Sequence, residues 1–247
     1  MTTKRPLLLY LHGFLGTTNE LGWFNSNHDS YDVYEVPWAT LLQGNKQWTM
    51  ADMAIAINTY LETKKIQGTY LYGYSMGGRL AMQLISLYPD KWKGLILESA
   101  HVGFKNGIKR REQQLKWETE FNQLTRNSTK EFVKKWYDQS LFKYSKSLIR
   151  DDLYKQKESY QIEYIKTWGM QLQTANQVYF IPFLKEWKKP ILYLAGEADD
   201  KYRKLGKTIE RHVKTARTII IKEADHNVHV CKPQEVKKEI TKFINNR

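Results

Sequence analysis

A glycine-rich turn at residues 73–77, with the sequence Gly-Tyr-Ser-Met-Gly, limits the folds open to this chain more than any other segment. The preceding residues 69–72 are apolar and read as a strand, whereas residues 76–87 have the spacing of a helix. The glycines give the backbone room for a sharp change of direction, which exposes the side chain of Ser75. The turn therefore predicts a strand that passes directly into a helix, with a serine at the junction.

Apolar runs of strand length alternate with amphipathic segments along most of the chain. Further strands are predicted at residues 6–11, 31–36, 94–98, 191–195 and 218–221. Helices are predicted at residues 50–64, 205–212 and 233–244. A capping box at Thr49 marks the start of the first of them. This alternation predicts an α/β protein with a mostly parallel central sheet flanked by helices.

Residues 101–187 interrupt this alternation. They are charged and rich in aromatic residues, with helical spacing and no apolar strand, which predicts a helical cap inserted over the sheet. The chain has 247 residues, which is long enough to bury one large core. We therefore predict a single domain, 1–247, whose core is formed by 1–100 and 188–247 and whose cap is formed by 101–187.

Composition restricts the compartment and the partners. No apolar run approaches the roughly 18 residues that span a bilayer, which predicts a soluble cytoplasmic protein without membrane insertion. We expect a monomer or a homodimer, between which the sequence does not decide. The single cysteine, Cys231, cannot form an internal disulfide and reads as a packed thiol. The net charge of +13 is spread along the chain without a nucleic-acid-binding signature. It indicates a solvated basic surface or an anionic small-molecule substrate, and no nucleic-acid partner.

A catalytic serine needs a histidine to take its proton, and Ser75 has candidates for this role at the ends of late strands. In chains with this kind of turn, the acid and then the histidine follow the serine in sequence. Asp199 follows the strand at 191–195, and His226 follows the strand at 218–221. Asp200 is an alternative to Asp199, and His229 is an alternative to His226.

The end of the first strand supplies a candidate oxyanion hole. Phe14 follows His12 and Gly13 at that end, where a backbone N–H group can face Ser75. Together with the N–H group of Met76, it would stabilise negative charge that develops on a substrate oxygen. His12 itself is predicted to be structural rather than catalytic.

Five segments make the chain resemble one enzyme family over almost its whole length. They are residues 73–81, residues 95–100, Trp136 and Tyr137 before Phe142, residues 195–197 and residues 226–229. These segments resemble the 2-succinyl-6-hydroxy-2,4-cyclohexadiene-1-carboxylate (SHCHC) synthases of the menaquinone pathway, which have the α/β-hydrolase fold. The arginine after the second glycine of the turn and the cap tryptophan are the most specific parts of the match.

This resemblance implies a carbon–oxygen lyase that eliminates pyruvate from 2-succinyl-5-enolpyruvyl-6-hydroxy-3-cyclohexene-1-carboxylate, without a metal or an organic cofactor. Ser75 would act as the base through His226 and Asp199. An anionic substrate would be bound by Arg79, Tyr74, Arg110, Arg111, Trp136 and Lys157. A guanidinium holds a planar carboxylate through two hydrogen bonds, although Arg79 could instead be an exposed residue of its helix.

Two other classes of function fit parts of the sequence. A carboxylic-ester hydrolase would use the same Ser75 to attack an acyl carbon and form a covalent intermediate. A binding module built on a hydrolase fold is the third class, but the intact turn and both partners of Ser75 argue against it. Arg79 and the basic cap favour the lyase, because an esterase for neutral acyl chains has little use for a cation near its nucleophile.

The chain departs from the usual pattern of this family in four places. Residues 35–39 read Glu-Val-Pro-Trp-Ala where the family has an aspartate-leucine-proline-glycine-histidine stretch. His101 stands where serine and proline are usual, and Asp225 replaces the glycine before the catalytic histidine. A further cap arginine is missing, with Lys157 or Lys155 nearest, and a lysine supplies charge without bidentate geometry.

Overall fold

A parallel sheet forms the centre of the molecule. The computed structural model describes residues 5–24, 30–41, 47–68, 70–124 and 129–246. Within these ranges the strands are β1 (Leu7–Leu11), β2 (Asp32–Glu35), β3 (Tyr70–Tyr74), β4 (Gly94–Glu98), β5 (Ile191–Gly196) and β6 (Ala216–Ile221). Their order in the sheet is β2-β1-β3-β4-β5-β6, and every neighbouring pair is parallel. The predicted α/β fold with helices flanking the sheet is thus confirmed.

Helices connect the strands. They are α1 (Trp38–Leu41), α2 (Met50–Thr63), α3 (Met76–Leu87), α4 (Gly107–Asn122), α5 (Thr129–Tyr137), α6 (Asp151–Glu158), α7 (Ile162–Gln171), α8 (Ile181–Glu186), α9 (Asp200–His212), α10 (Val228–Cys231) and α11 (Pro233–Asn245). The capping box predicted at Thr49 is present, with the Thr49 and Asp52 side chains each bonded to the other's backbone N–H. In the part of the chain described, none of the helices has both the length and the apolar character needed to cross a bilayer.

Several sequence-based boundaries differ from the structure, and two of the differences lie next to Asp199 and Ser75. The helix predicted at 205–212 begins five residues earlier, at Asp200, because the Asp199 carboxylate caps it by accepting a hydrogen bond from the Tyr202 N–H. The strand predicted at 69–72 continues to Tyr74, whereas residue 69 lies outside the described residues.

The segment between β4 and β5 contains α4 to α8, and its described parts, 101–124 and 129–187, hold no strand. Inside this segment, α4 packs against α7, where Gly169 lies directly against the ring of Phe121. The division of the chain into a core and a cap stays a prediction.

The four inner strands of the sheet, β1, β3, β4 and β5, are buried on both faces, which is why they read as continuous apolar runs. Leu9, Leu71 and Leu95 pack into the core on one face, while Leu8 and Ile96 pack into a second cluster on the other. All strands point the same way, so the carboxyl ends of β3, β4, β5 and β6 meet at one edge. This edge is the usual location of ligand sites in open parallel sheets.

Candidate active site

The turn after β3 holds Ser75 in a strained backbone conformation. Ser75 has a φ of 50°, in the left-handed region, and its N–H donates to the Glu98 carbonyl at 2.8 Å. A Cβ atom on Gly77 would lie 1.9 Å from the Leu11 carbonyl oxygen, so only glycine lets α3 approach β1 this closely. The glycines therefore place the serine hydroxyl at the carboxyl edge of the sheet.

The structure brings together Ser75, His226 and Asp199, which we call the serine–histidine–aspartate row. His226 Nε2 lies 3.1 Å from Ser75 Oγ, and His226 Nδ1 lies 2.6 Å from Asp199 Oδ2. Because a carboxylate only accepts hydrogen bonds, Nδ1 carries the proton and donates a hydrogen bond to Asp199. The unprotonated Nε2 then faces the serine hydroxyl, which is the tautomer that general-base chemistry requires.

The two alternative residues lie outside this row. Asp200 is exposed and makes ion pairs with Arg203 and Lys204 on its own helix. His229 is buried against Glu98, whose carboxylate accepts hydrogen bonds from both the backbone N–H and Nδ1 of His229, at 3.0 and 2.9 Å. Burial lowers the pKa of His229, but the Glu98 charge and hydrogen bond outweigh it, so the pKa is raised.

Aromatic rings and one carboxylate fix the position of His226. The Tyr202 and Tyr74 rings lie 4.6 and 5.6 Å from the imidazole, measured between centroids. The His226 N–H donates to the Leu141 carbonyl at 3.2 Å. The neighbouring Asp225 carboxylate accepts hydrogen bonds from the backbone N–H groups of Tyr144 and Ser145. These bonds connect the loop that carries His226 to the segment after α5. Sequence reasoning identified Asp225 as unusual but missed this contact.

Two backbone N–H groups beside Ser75 have no acceptor within the described residues, those of Phe14 and Met76. Met76 follows Ser75 directly as the first residue of α3. Phe14 follows Gly13, where an added Cβ atom would lie 3.5 Å from Ser75 Cβ. The side chain of Phe14 packs against the half-buried Trp136, with centroids 4.7 Å apart.

Arg79 is buried, not exposed as the alternative interpretation would have it. It lies one turn after Ser75 in α3, is 5% exposed, and donates from Nη1 to the Leu172 carbonyl at 2.5 Å. Within the described ranges no carboxylate forms an ion pair with it. Burial lowers its pKa to about 10, so the guanidinium remains charged at neutral pH.

The other cations assigned by the sequence lie in different surroundings. Arg110 is half-buried and donates to the Phe104 carbonyl at 3.0 Å, whereas Arg111 is exposed and donates to the neighbouring Gln114. Lys157 is 3% exposed and forms an ion pair with Glu20 at 2.5 Å. Lys155, the second candidate for the missing cap arginine, is exposed on α6.

Among the residues that the structure describes, no three His, Cys, Asp or Glu side chains group together as metal ligands would. The proposal that no metal or cofactor is needed stays a prediction.

Comparisons of the sequence and of the structure with known proteins point to the same family. A family model for the α/β-hydrolase fold matches residues 6–233. The chain is 25% identical to the SHCHC synthase of Serratia proteamaculans (strain 568), over 98% of this chain and 94% of that protein. It is also 25% identical to the solved structure of MenH from S. aureus, with a TM-score of 0.86 over 99% of this chain and 95% of that one.

An esterase has a similar fold at lower identity. The structure of a thermophilic esterase from Thermogutta terrifontis aligns with a TM-score of 0.76 and 19% identity, over 99% of this chain and 90% of that one. At this identity the likeness concerns the fold alone.

Proposed function

Because the chain belongs to the α/β-hydrolase fold family, we propose that it is a carbon–oxygen lyase of the SHCHC synthase type. It would eliminate pyruvate from 2-succinyl-5-enolpyruvyl-6-hydroxy-3-cyclohexene-1-carboxylate and leave SHCHC. One observation carries this proposal: Arg79, a buried guanidinium that has no carboxylate partner among the described residues, lies one helical turn from Ser75. Such a cation suits a substrate with several carboxylates, and the named relatives supply the reaction.

In this mechanism His226 takes the proton of Ser75, and the serine oxygen takes a proton from the ring carbon that bears the succinyl group. The electron pair released there shifts through the ring double bond, and the carbon–oxygen bond to the enolpyruvyl group breaks. The leaving group takes up a proton and becomes pyruvate. Asp199 stabilises the imidazolium that forms on His226.

The carbonyl of the succinyl group gains negative charge as the proton leaves. The N–H groups of Phe14 and Met76 would stabilise that charge, and they are available because no acceptor in the described residues uses them. Arg79 would hold a carboxylate, and Tyr74 and Trp136 would line the site. Arg110 and Arg111 would add cap cations, whereas Lys157 would act indirectly, since Glu20 already neutralises it.

Ester hydrolysis is the second candidate. The 3.1 Å contact between Ser75 Oγ and His226 Nε2 suits attack on an acyl carbon as well as proton abstraction. The two functions differ in the fate of Ser75, which becomes acylated only in the esterase.

Pyruvate release separates the two functions. Purified protein is assayed with the enzymatically generated enolpyruvyl substrate and, in parallel, with p-nitrophenyl acetate. Fast release of pyruvate with negligible ester cleavage is expected. Turnover of the ester without pyruvate would make the chain an esterase.

Ser75→Ala tests the role of the serine. It removes the proposed base, so we expect kcat for pyruvate release to fall by about 10²–10⁴. The matched control is Ser86→Ala, near the other end of α3, where within the described part of the chain the hydroxyl bonds only to Gln83. Similar rates for Ser75→Ala and Ser86→Ala would contradict the mechanism.

A further inference from the structure

A second group of side chains that can bind an anion lies at the carboxyl ends of β4 and β5. His101 follows β4, which lies between β3 and β5 in the sheet, and Lys201 lies in the first turn of α9 after β5. The Lys201 Nζ atom lies 5.2 Å from the centroid of the Tyr202 ring. That ring lies 4.6 Å from the His226 ring and 6.4 Å from the His101 ring. Lys201 and His101 thus flank the same tyrosine that packs on the catalytic histidine.

The positive charges in this group are only partly offset by the protein: Lys201 is exposed to solvent and is attracted by the Asp199 carboxylate but repelled by Arg79. Among the described residues, Lys201 makes no ion pair and no hydrogen bond, and Arg79 is bound only to a carbonyl. The nearby Asp199 carboxylate is occupied by His226 and by the Tyr202 N–H. A carboxylate bound beside Lys201 and Arg79 would offset the repulsion between these two cations.

His101 supplies a hydrogen-bond donor to this group rather than a charge. The Gly103 N–H donates to His101 Nδ1 at 3.0 Å, so the ring proton is on Nε2. Burial, together with the positive charges of Lys201 and Arg79, lowers the pKa of His101 to about 3, and the ring is neutral at pH 7. The Nε2–H group has no acceptor within the described residues and remains available to a ligand.

We propose that Lys201 and His101 form a second anion subsite beside Arg79, on the α9 side of Ser75. This subsite binds one further carboxylate of a di- or tricarboxylic substrate. The inference rests on the proposed function, whose substrate carries a ring, a succinyl and an enolpyruvyl carboxylate. The second cation then comes from α9, whereas Lys157, which the sequence suggested, is held by Glu20.

Lys201→Gln tests the subsite by direct binding. In a Ser75→Ala background, calorimetry measures the Kd of the dicarboxylate SHCHC without turnover. Loss of a charge-assisted hydrogen bond should weaken binding about tenfold or more, and Lys201→Arg should restore most of the affinity. The matched control is Lys207→Gln, a second exposed lysine of α9, which changes the net charge equally and should leave Kd within about twofold. Equal Kd values for Lys201→Gln and Lys207→Gln would overturn the subsite.

A second assay keeps this test independent of the lyase reaction. If the wild-type protein cleaves esters and releases no pyruvate, the proposed function fails, and the subsite is tested with p-nitrophenyl hemisuccinate against p-nitrophenyl butyrate. Lys201→Gln should lower the hemisuccinate-to-butyrate ratio of kcat/KM about tenfold, because only the first ester carries a carboxylate. An unchanged ratio would refute the anion subsite, whichever reaction the enzyme performs.

Discussion

The Asp225 carboxylate is 1% exposed and accepts hydrogen bonds from two separate segments of the chain. Its Oδ2 atom accepts from the N–H groups of Tyr144 and Ser145, both at 2.8 Å, and from Ser145 Oγ at 3.0 Å. Its Oδ1 atom accepts from the Asn227 N–H at 3.0 Å. A glycine at this position would leave these donors without a partner, which is the structural reason for the unusual residue.

Asp225→Ala is expected to lower the free energy of unfolding by about 3 kcal/mol, because it leaves several buried donors unsatisfied. Asp225→Asn keeps one acceptor oxygen and should cost less. Urea denaturation at pH 7 measures both, with Asp200→Ala as a control that removes an exposed carboxylate. If Asp225→Ala lowers the free energy of unfolding no more than the control does, the hydrogen bonds of Asp225 add no stability.

Local sequence signals account for the serine–histidine–aspartate row but not for its surroundings. Ser75, Asp199 and His226 each follow an apolar strand, so their meeting at one edge follows from a parallel sheet. Lys157 and its partner Glu20 are far apart in sequence, and no local pattern indicates that they pair. Long-range contacts of this kind decide which cations remain free for a ligand.

At the scale of elements, β1, β3 and α3 form one closely packed unit around the serine turn. A Cβ atom on Gly77 would lie 1.9 Å from the Leu11 carbonyl oxygen, and one on Gly73 would lie 2.4 Å from Gly78 Cα. Backbone meets backbone at both points, so no side chain can move aside to make room. The strands of this unit were predictable, because burial on both faces requires unbroken apolar runs. The start of α9 was not, because Asp199 was read as a catalytic residue and not also as a helix cap.

Gly77→Ala is expected to destabilise the protein by about 3 kcal/mol, since the backbone of α3 must shift away from β1. Gly107→Ala is the control, because an added Cβ at the start of α4 meets no atom within 4 Å. The control should change stability by less than about 1 kcal/mol. Thermal unfolding followed by tryptophan fluorescence compares the two; equal melting temperatures would contradict the close approach.

At the scale of the whole molecule, buried neutral histidines make stability depend on pH. His12 is 2% exposed, stacks on Trp38 with centroids 4.6 Å apart, and donates from Nδ1 to the Gly13 carbonyl. Burial lowers its pKa from 6.5 to about 4. Between these values the unfolded chain binds a proton that the folded protein does not. The stabilisation is therefore present above pH 6.5 and is lost as the pH falls towards 4.

From pH 7 to pH 5, His12 should account for about 2 kcal/mol of the fall in the free energy of unfolding. His12→Asn removes the titrating ring, so its stability should fall by that much less over the same range. Urea titrations of both proteins at pH 7, 6 and 5 measure the difference. His101→Asn should likewise reduce the loss of stability at low pH, because burial also lowers the pKa of His101. Parallel pH curves for wild type and both variants would exclude this origin of acid sensitivity.

The buried ion pair between Lys157 and Glu20 also joins α6 to the segment that follows β1. Lys157 Nζ also donates to the Leu15 carbonyl, and the Tyr160 hydroxyl donates to the Gly16 carbonyl at 2.7 Å. These contacts therefore hold the end of α6 against the loop that carries Phe14. Separating the two would unpair buried charges at a cost of several kcal/mol. The end of α6 and the loop that carries Phe14 are consequently expected to move together, and not apart, when a substrate enters the site.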